Sequence, residues 1–301
     1  MGKFVEHRYS LRQVVELTGI SEFTLRGWES RHQAFEPRRT PTGRRRYSSE
    51  DILRAKALFD LTERGYRIGA IADLPTQKLH GHLEVREAEH ASATNPEIAE
   101  ILKLAMRFDW DSVEAKIKQK VNALSARSFI HDFVLPLLAA VGVEAGAGRF
   151  SVAQEHIISA FLKEKLFALK AKTARKKSKV RLVLATPEGD FHELGILIAA
   201  VLASLAGAAV LYLGPSMPAK DLCDTCLRFN ATHLLLSATV SKQEGAKSDL
   251  LQIVSFLDRQ LAFKTTLWLA GRASTDLTIE LERPFSVLNS FRALEAELKS
   301  G

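Results

Sequence analysis

From residue 180 to the C-terminus, five short apolar runs (180–185, 209–213, 233–237, 266–269 and 286–288) alternate with segments of helical periodicity. Runs that stay apolar at successive positions are buried on both faces, and the intervening helices are what bury them. The pattern predicts a Rossmann-like parallel five-stranded α/β domain. Such sheets take ligands outside the carboxyl ends of their strands. The loop after the first run reads Asp190-Phe191-His192-Glu193-Leu194-Gly195 and opens onto the apolar helix 196–206. An acid, an imidazole and a glycine at that place make it the candidate ligand site.

The opposite end of the chain has a different grammar. Ser10 and Gln13 form a capping box for a short helix that Gly19 ends in a position suited to positive φ. Ser21 caps a second helix, 22–31, whose Phe23, Leu25 and Trp28 are expected to hold it on the first. Two short helices across a glycine turn fit a helix-turn-helix or an ordinary helical hairpin equally well. The next segment shifts the balance. Residues 36–47 carry Arg38, Arg39, Arg44, Arg45 and Arg46 around a Pro-Thr-Gly turn, the makings of a two-stranded wing that lays guanidinium groups along phosphates. Ser48 and Ser49 then cap a helix over 51–64, and another begins at 66–71.

This order, from Tyr9-Ser10-Leu11 through Thr24-Leu25-Arg26-Gly27-Trp28-Glu29 to the arginine wing and Tyr47, resembles the winged-helix domain of MerR-type transcription regulators over residues 8–74. The resemblance implies that Ser21, Thr24, Arg26, Trp28 and Arg31 on the second helix face double-stranded DNA. In the wing it implies the same for Arg38, Arg39, Arg44, Arg45, Arg46 and Tyr47; Trp28 fits a core position as well. The long dimerising helix and ligand cysteines of metal-sensing members are missing.

Between the two ends, 76–95 reads as a polar linker after Pro75; its His80, His82 and His90 match no standard metal spacing. Four amphipathic helices follow within 96–175, predicting a bundle. Asn95-Pro96 opens the first, the second covers 111–123, and the third, 126–145, is kinked at Pro136. The fourth starts with the Ser151–Gln154 capping box and runs to 172. The domain plan is therefore 1–75 for DNA, 76–95 as linker, 96–175 as helical cap and 176–301 as the sheet domain.

The sheet domain resembles cobalamin-binding domains, whose signature is Asp-x-His-x-x-Gly, a Ser-x-Leu on the third strand and Gly-Gly after the fourth. Here Asp190, His192 and Gly195 match the first element. After 41 intervening residues the second reads Ser237-Ala238-Thr239, and the third reads Ala270-Gly271-Arg272. The resemblance implies His192 as lower ligand of the cobalt, with Asp190 holding its other ring nitrogen. It also places Gly195, Ser237, Thr239 and Gly271 along the cofactor's nucleotide tail. As a whole the chain resembles the light- and cobalamin-responsive branch of MerR-type regulators. In that branch a tryptophan, nine residues and Glu-His lie over the upper face of the corrin. Glu155 and His156 match the end of that motif, the tryptophan position is Ala145, and the adjacent light-switching histidine is replaced by Gly146.

Composition narrows the class. The 301 residues carry a formal net charge of +7, about five of it before residue 80, which favours an acidic partner at that end. The N-terminal ten residues lack the apolar core of a signal peptide, and the most apolar stretch, 194–213, fits a helix–strand pair better than a membrane span. Cys223 and Cys226 form a lone pair at Cys-x-x-Cys spacing without two further zinc ligands nearby, so a packing role is expected over a redox or metal one. The expected protein is a cytoplasmic, homo-oligomeric (dimeric or tetrameric), non-enzymatic repressor that binds DNA and cobalamin. Two rivals remain: a sheet domain that binds no corrin and serves protein contacts or another flat ligand, and a cobalamin-dependent methyl-transfer subunit.

Overall fold

The computed structural model describes residues 9–35, 37–40, 42–63, 66–76, 79, 95–173, 178–239, 246–262, 264–275 and 281–300. The histidines of the expected linker lie outside them. Two compact units emerge, Met1–Leu102 with Pro136–Arg149, and Lys103–Leu135 with Phe150–Gly301. The division cuts through the helical region between the ends instead of following the boundaries expected for a separate cap.

In the first unit, α1 (Leu11–Thr18) carries the Ser10–Gln13 capping box and ends on Gly19 at φ 72°. Helix α2 (Glu22–His32) is capped by Ser21, whose hydroxyl accepts from the Thr24 N–H. The wing is an antiparallel pair, β1 (Arg38–Arg39) and β2 (Arg45–Arg46). A capping box between Ser48 and Asp51 then starts α3 (Ser49–Glu63). Val14, Ile20, Leu25, Trp28, Tyr47, Leu58 and Leu61 form one core. Arg54 closes it: its guanidinium donates to the carbonyls of Ala34, Ala72 and Leu74, which ties α3 to the ends of two other segments. Two expectations change here. Phe23 points away from the core and is 81% exposed. Leu79, read as linker, is fully buried in this core, so the DNA-binding fold reaches past residue 75.

Asn95 caps α5 (Pro96–Met106), and α6 (Trp110–Ala123) follows; the four-residue α4 is Ile68–Ile71. The expected third helix is built of three pieces: α7 (Ala126–Ser128), a π-turn (Phe129–Val134) and α8 (Leu135–Gly146). Pro136 has no N–H to give and its ring crowds the preceding turn, and the widened turn just before it absorbs the fault. This stretch, Ala126–Gly146, is long and apolar enough by composition to cross a bilayer, yet Phe129, Ile130, Phe133 and Val134 are all buried in protein.

Helix α9 (Val152–Thr173) opens with the Ser151–Gln154 capping box, and the Gln154 amide reaches on to the carbonyl of Ala105. Helix α9 is fastened to the sheet domain within the second unit. Lys163 pairs with Glu193 at 2.5 Å, Glu193 accepts from the Tyr212 hydroxyl at 3.0 Å, and Phe167 meets the Tyr212 ring edge-on.

The sheet has five parallel strands in the order β4-β3-β5-β6-β7: β3 (Arg181–Pro187), β4 (Ala209–Met217), β5 (His233–Ser237), β6 (Thr266–Ala270) and β7 (Phe285–Leu288). Helices α10 (Glu193–Leu205) and α11 (Ala219–Phe229) are the crossovers after β3 and β4; α12 (Ala246–Gln260), the short α13 (Arg272–Thr275) and α14 (Phe291–Ser300) complete the layers. One layer of core packs around Leu234, Leu236 and Leu269, the other around Leu184, Ala200 and Trp268. Strand β4 runs past its expected end at 213 because register shifts against β3, with Gly214 and Ser216 at positive φ, carry the chain on to Met217. Cys226 packs in the first of these layers with Cys223 against its edge, and burial pushes the Cys226 thiol up to about 12.

His233 stacks on Trp268 with ring centroids 4.3 Å apart, and burial lowers its pKa below the ordinary 6.5. The folded form therefore binds this proton less readily than the unfolded chain. Its contribution to stability is complete above about pH 6.5 and is lost as the pH falls. A denaturation series from pH 8 to 5 should show stability declining on the acid side, with a shallower decline in His233→Phe. An unchanged slope in the variant counts against this assignment.

Candidate functional site

Strand order places a switch point between β3 and β5: the chain leaves β3 toward β4 on one side and returns to β5 on the other. At such a switch point ligands of open α/β sheets bind outside the carboxyl ends of the strands. The Asp190 loop leaves β3 at this point, and Ser237-Ala238-Thr239 leaves β5 beside it. One Asp190 oxygen accepts from the His192 N–H at 2.9 Å and lies 2.8 Å from His192 Nδ1. The other accepts from the Thr239 N–H at 2.6 Å. A carboxylate can only accept, so Nδ1 carries the proton and Nε2 is left as the ring's lone-pair donor. The His192 side chain is 67% exposed while that of Asp190 is 9% exposed. A buried acid thus fixes the tautomer and direction of a ring that faces outward, as a metal-ligating imidazole requires.

The loop is braced from beneath. Thr186, fully buried at the end of β3, donates to the Asp190 carbonyl and accepts from the Ser216 N–H, and the Gly189 N–H donates to Ser216 Oγ. Sequence reasoning missed Thr186, Ser216 and the Thr239 contact, since each depends on neighbours distant in the chain. A polar residue ending an otherwise apolar strand was the available signal for Thr186.

The glycines divide. At Gly195 an added Cβ would meet nothing within 4 Å, so the space beside it is open to a ligand. Gly271 sits at φ 84°, and a Cβ there would lie 2.3 Å from the Ala238 carbonyl oxygen. Its glycine is demanded by the approach of the β5 and β6 loops, and a role along the cofactor tail is not needed to explain it. Ser237 stands half-buried at the end of β5. Glu155 is half-buried and His156 exposed on the first turn of α9; Ala145 and Gly146 end α8 in the other unit.

On the winged helix the arginines also divide. Arg45 Nε lies 2.7 and 2.9 Å from the two Glu29 oxygens, and the Tyr47 hydroxyl donates to Glu29 at 2.9 Å. Glu29 thereby bolts the wing to α2, and burial together with this contact pushes the Tyr47 phenol well up. Tyr47 is 1% and Trp28 7% exposed. Tyr47 was expected to face DNA and Trp28 to face either DNA or the core; both side chains are buried in the core of this unit. Arg45 is half-buried and held by Glu29. Arg26, Arg31, Arg38, Arg39 and Arg44 remain exposed, with Ser21 beside them and Thr24 and Arg46 half-exposed.

The model of MerR HTH family regulatory proteins matches residues 9–78, and that of a B12 binding domain matches 97–170. The HTH-type transcriptional repressor CarH of Myxococcus xanthus is 28% identical over 284 residues, 92% of this chain and 93% of that protein. CarA, a repressor of the same type from the same organism, is 30% identical over 238 residues, 75% of each. The chain belongs to this family of MerR-type transcriptional repressors. The Methanosarcina barkeri monomethylamine corrinoid protein superposes at a TM-score of 0.54 with 16% identity, covering 69% of this chain and all of that one; the likeness is one of fold. As a MerR-type regulator the chain carries its helix-turn-helix and wing at the N-terminal end, and its B12 binding domain match lies over the helices that precede the sheet domain.

Proposed function

We propose that this chain is an operator-binding repressor whose hold on DNA is set by cobalamin seated over the carboxyl ends of β3 and β5. The observation that carries the reading is the Asp190–His192–Thr239 arrangement at the switch point: a buried carboxylate fixes one ring nitrogen and leaves the other facing out. When bound, the corrin would supply a cobalt centre able to exchange a ligand. His192 would hold the cobalt through Nε2, Asp190 would keep its ring oriented, and Gly195 and Ser237 would border the tail. Glu155 and His156 are the polar groups assigned to the upper face. Ala145 and Gly146 offer no aromatic cover and no second imidazole, so capture of the cobalt after photolysis is not part of this reading. The chain is proposed to act as a homo-oligomer, dimer or tetramer, on a two-fold operator.

Operator duplexes selected from random DNA by the purified protein test this. Affinity at fixed salt, measured without corrin and with hydroxocobalamin or adenosylcobalamin in the dark and after illumination, should change about ten-fold with corrin and not further with light. Equal affinity in every state would mean that the sheet domain serves protein contacts instead.

A further inference from the structure

The feature left over is Phe23. It is the second residue of α2, it is 81% exposed, and Leu25 and Trp28 of the same helix are buried on the opposite side. A single exposed apolar side chain is ordinary on a protein surface; its position is what matters here. Three residues on, one turn along the same face, stands Arg26, followed by the exposed Ser30 at seven. Arg31 folds across Gly27, where its guanidinium lies 2.7 Å from the place a Cβ would occupy. The exposed face of α2 thus sets an aromatic ring beside Arg26, which pairs with Glu22 at 2.6 Å, and near Arg31, on the second helix of a helix-turn-helix. Arginines draw that face to phosphate, and the major groove is wide enough to admit a helix. Inside the groove a phenyl ring has no hydrogen bond to give. The apolar group that a base pair presents on its major-groove edge is the 5-methyl of thymine.

We infer that Phe23 is a specificity-determining residue that packs against a thymine methyl in the operator. This rests on the DNA-binding reading of α2 and names what one position of that helix reads. Its side chain makes no part of the core, so Phe23→Ala leaves the fold intact, which circular dichroism checks.

The probe is the duplex selected by the full-length protein from random DNA, with each thymine replaced in turn by uracil to delete its methyl. In the wild type, one or two positions per half-site should weaken binding about four-fold, the worth of one buried methyl. In Phe23→Ala the same uracil substitutions should cost nothing further, while Phe23→Leu should retain part of the penalty. A uracil scan that is flat in the wild type, or equally costly in Phe23→Ala, overturns the inference and leaves DNA binding standing. So does a Phe23→Ala variant that changes only self-association, which would assign the ring to a second copy of this chain. Failure of the wild type to select any duplex overturns the DNA-binding reading itself.

Discussion

Removing the three exposed arginines of the wing, as Arg38→Ala, Arg39→Ala and Arg44→Ala together, should lower operator affinity about a hundred-fold, at roughly 1 kcal/mol for each lost charge-assisted contact. The slope of log affinity against log salt should also flatten, by about 2.7 for every chain bound, since each phosphate contact contributes about 0.9. These side chains lie on the first strand and in the turn of the wing, and none belongs to the core. The wing itself stays in place through Arg45, Tyr47 and Glu29, so the loss is one of charge and not of fold. Arg45→Ala is the instructive contrast. It unpairs Glu29 and loosens the wing, so affinity falls with little change in salt slope beyond a single contact. Filter binding across a salt series separates the two. If the triple variant kept the wild-type slope, the wing would not lie along phosphate.

Arg283→Met should destabilise the sheet domain by about 3–5 kcal/mol, the cost of leaving one partner of a buried ion pair behind. The Arg283 side chain is 2% exposed. Its Nε meets Asp258 at 3.1 Å, and its other nitrogens donate to the carbonyls of Asp258, Leu261, Ala262 and Thr265. One guanidinium thereby gathers carbonyls at and just beyond the end of α12 and anchors the segment that leads into β7. Methionine preserves the apolar stem, removes the guanidinium from the carbonyls, and leaves Asp258 its charge with only the Glu282 and Arg283 N–H groups to offset it. Urea unfolding of the full chain should show the transition of the sheet domain moving to lower denaturant, while α2 and the wing keep their own transition. A midpoint unchanged to within about 0.5 kcal/mol would mean water replaces the guanidinium without loss.

The sheet was legible in the sequence because its strands are buried on both faces: 233–237 coincides with β5 at both ends, and 266–269 and 286–288 each fall one residue short. The caps at Ser10, Ser21 and Ser151 were legible because each involves residues within one turn. What failed required knowledge of the other side of a contact. Phe23, Leu25 and Trp28 are all apolar, and nothing local says that the first faces out while the other two face in. Tyr47 and Arg45 looked like DNA contacts until Glu29, far from them in sequence, was found between them. At the ligand site, Asp190 and His192 were readable as a pair two residues apart. The tie from Asp190 to Thr239 was not, since it exists only once β3 and β5 lie side by side. The same holds for Gly271, whose glycine answers to the Ala238 carbonyl.

The central claim is that His192, oriented by Asp190, is a ligand to cobalt in a chain that also binds an operator. The most direct measurement is the visible absorption of the full-length protein loaded with hydroxocobalamin in the dark and freed of excess corrin, beside His192→Ala treated in the same way. Wild type should retain one corrin per chain with a spectrum displaced from that of the free cofactor, and His192→Ala should lose that displacement and most of the corrin. Identical spectra and loading in the two proteins, or no corrin retained by the wild type, would contradict the account.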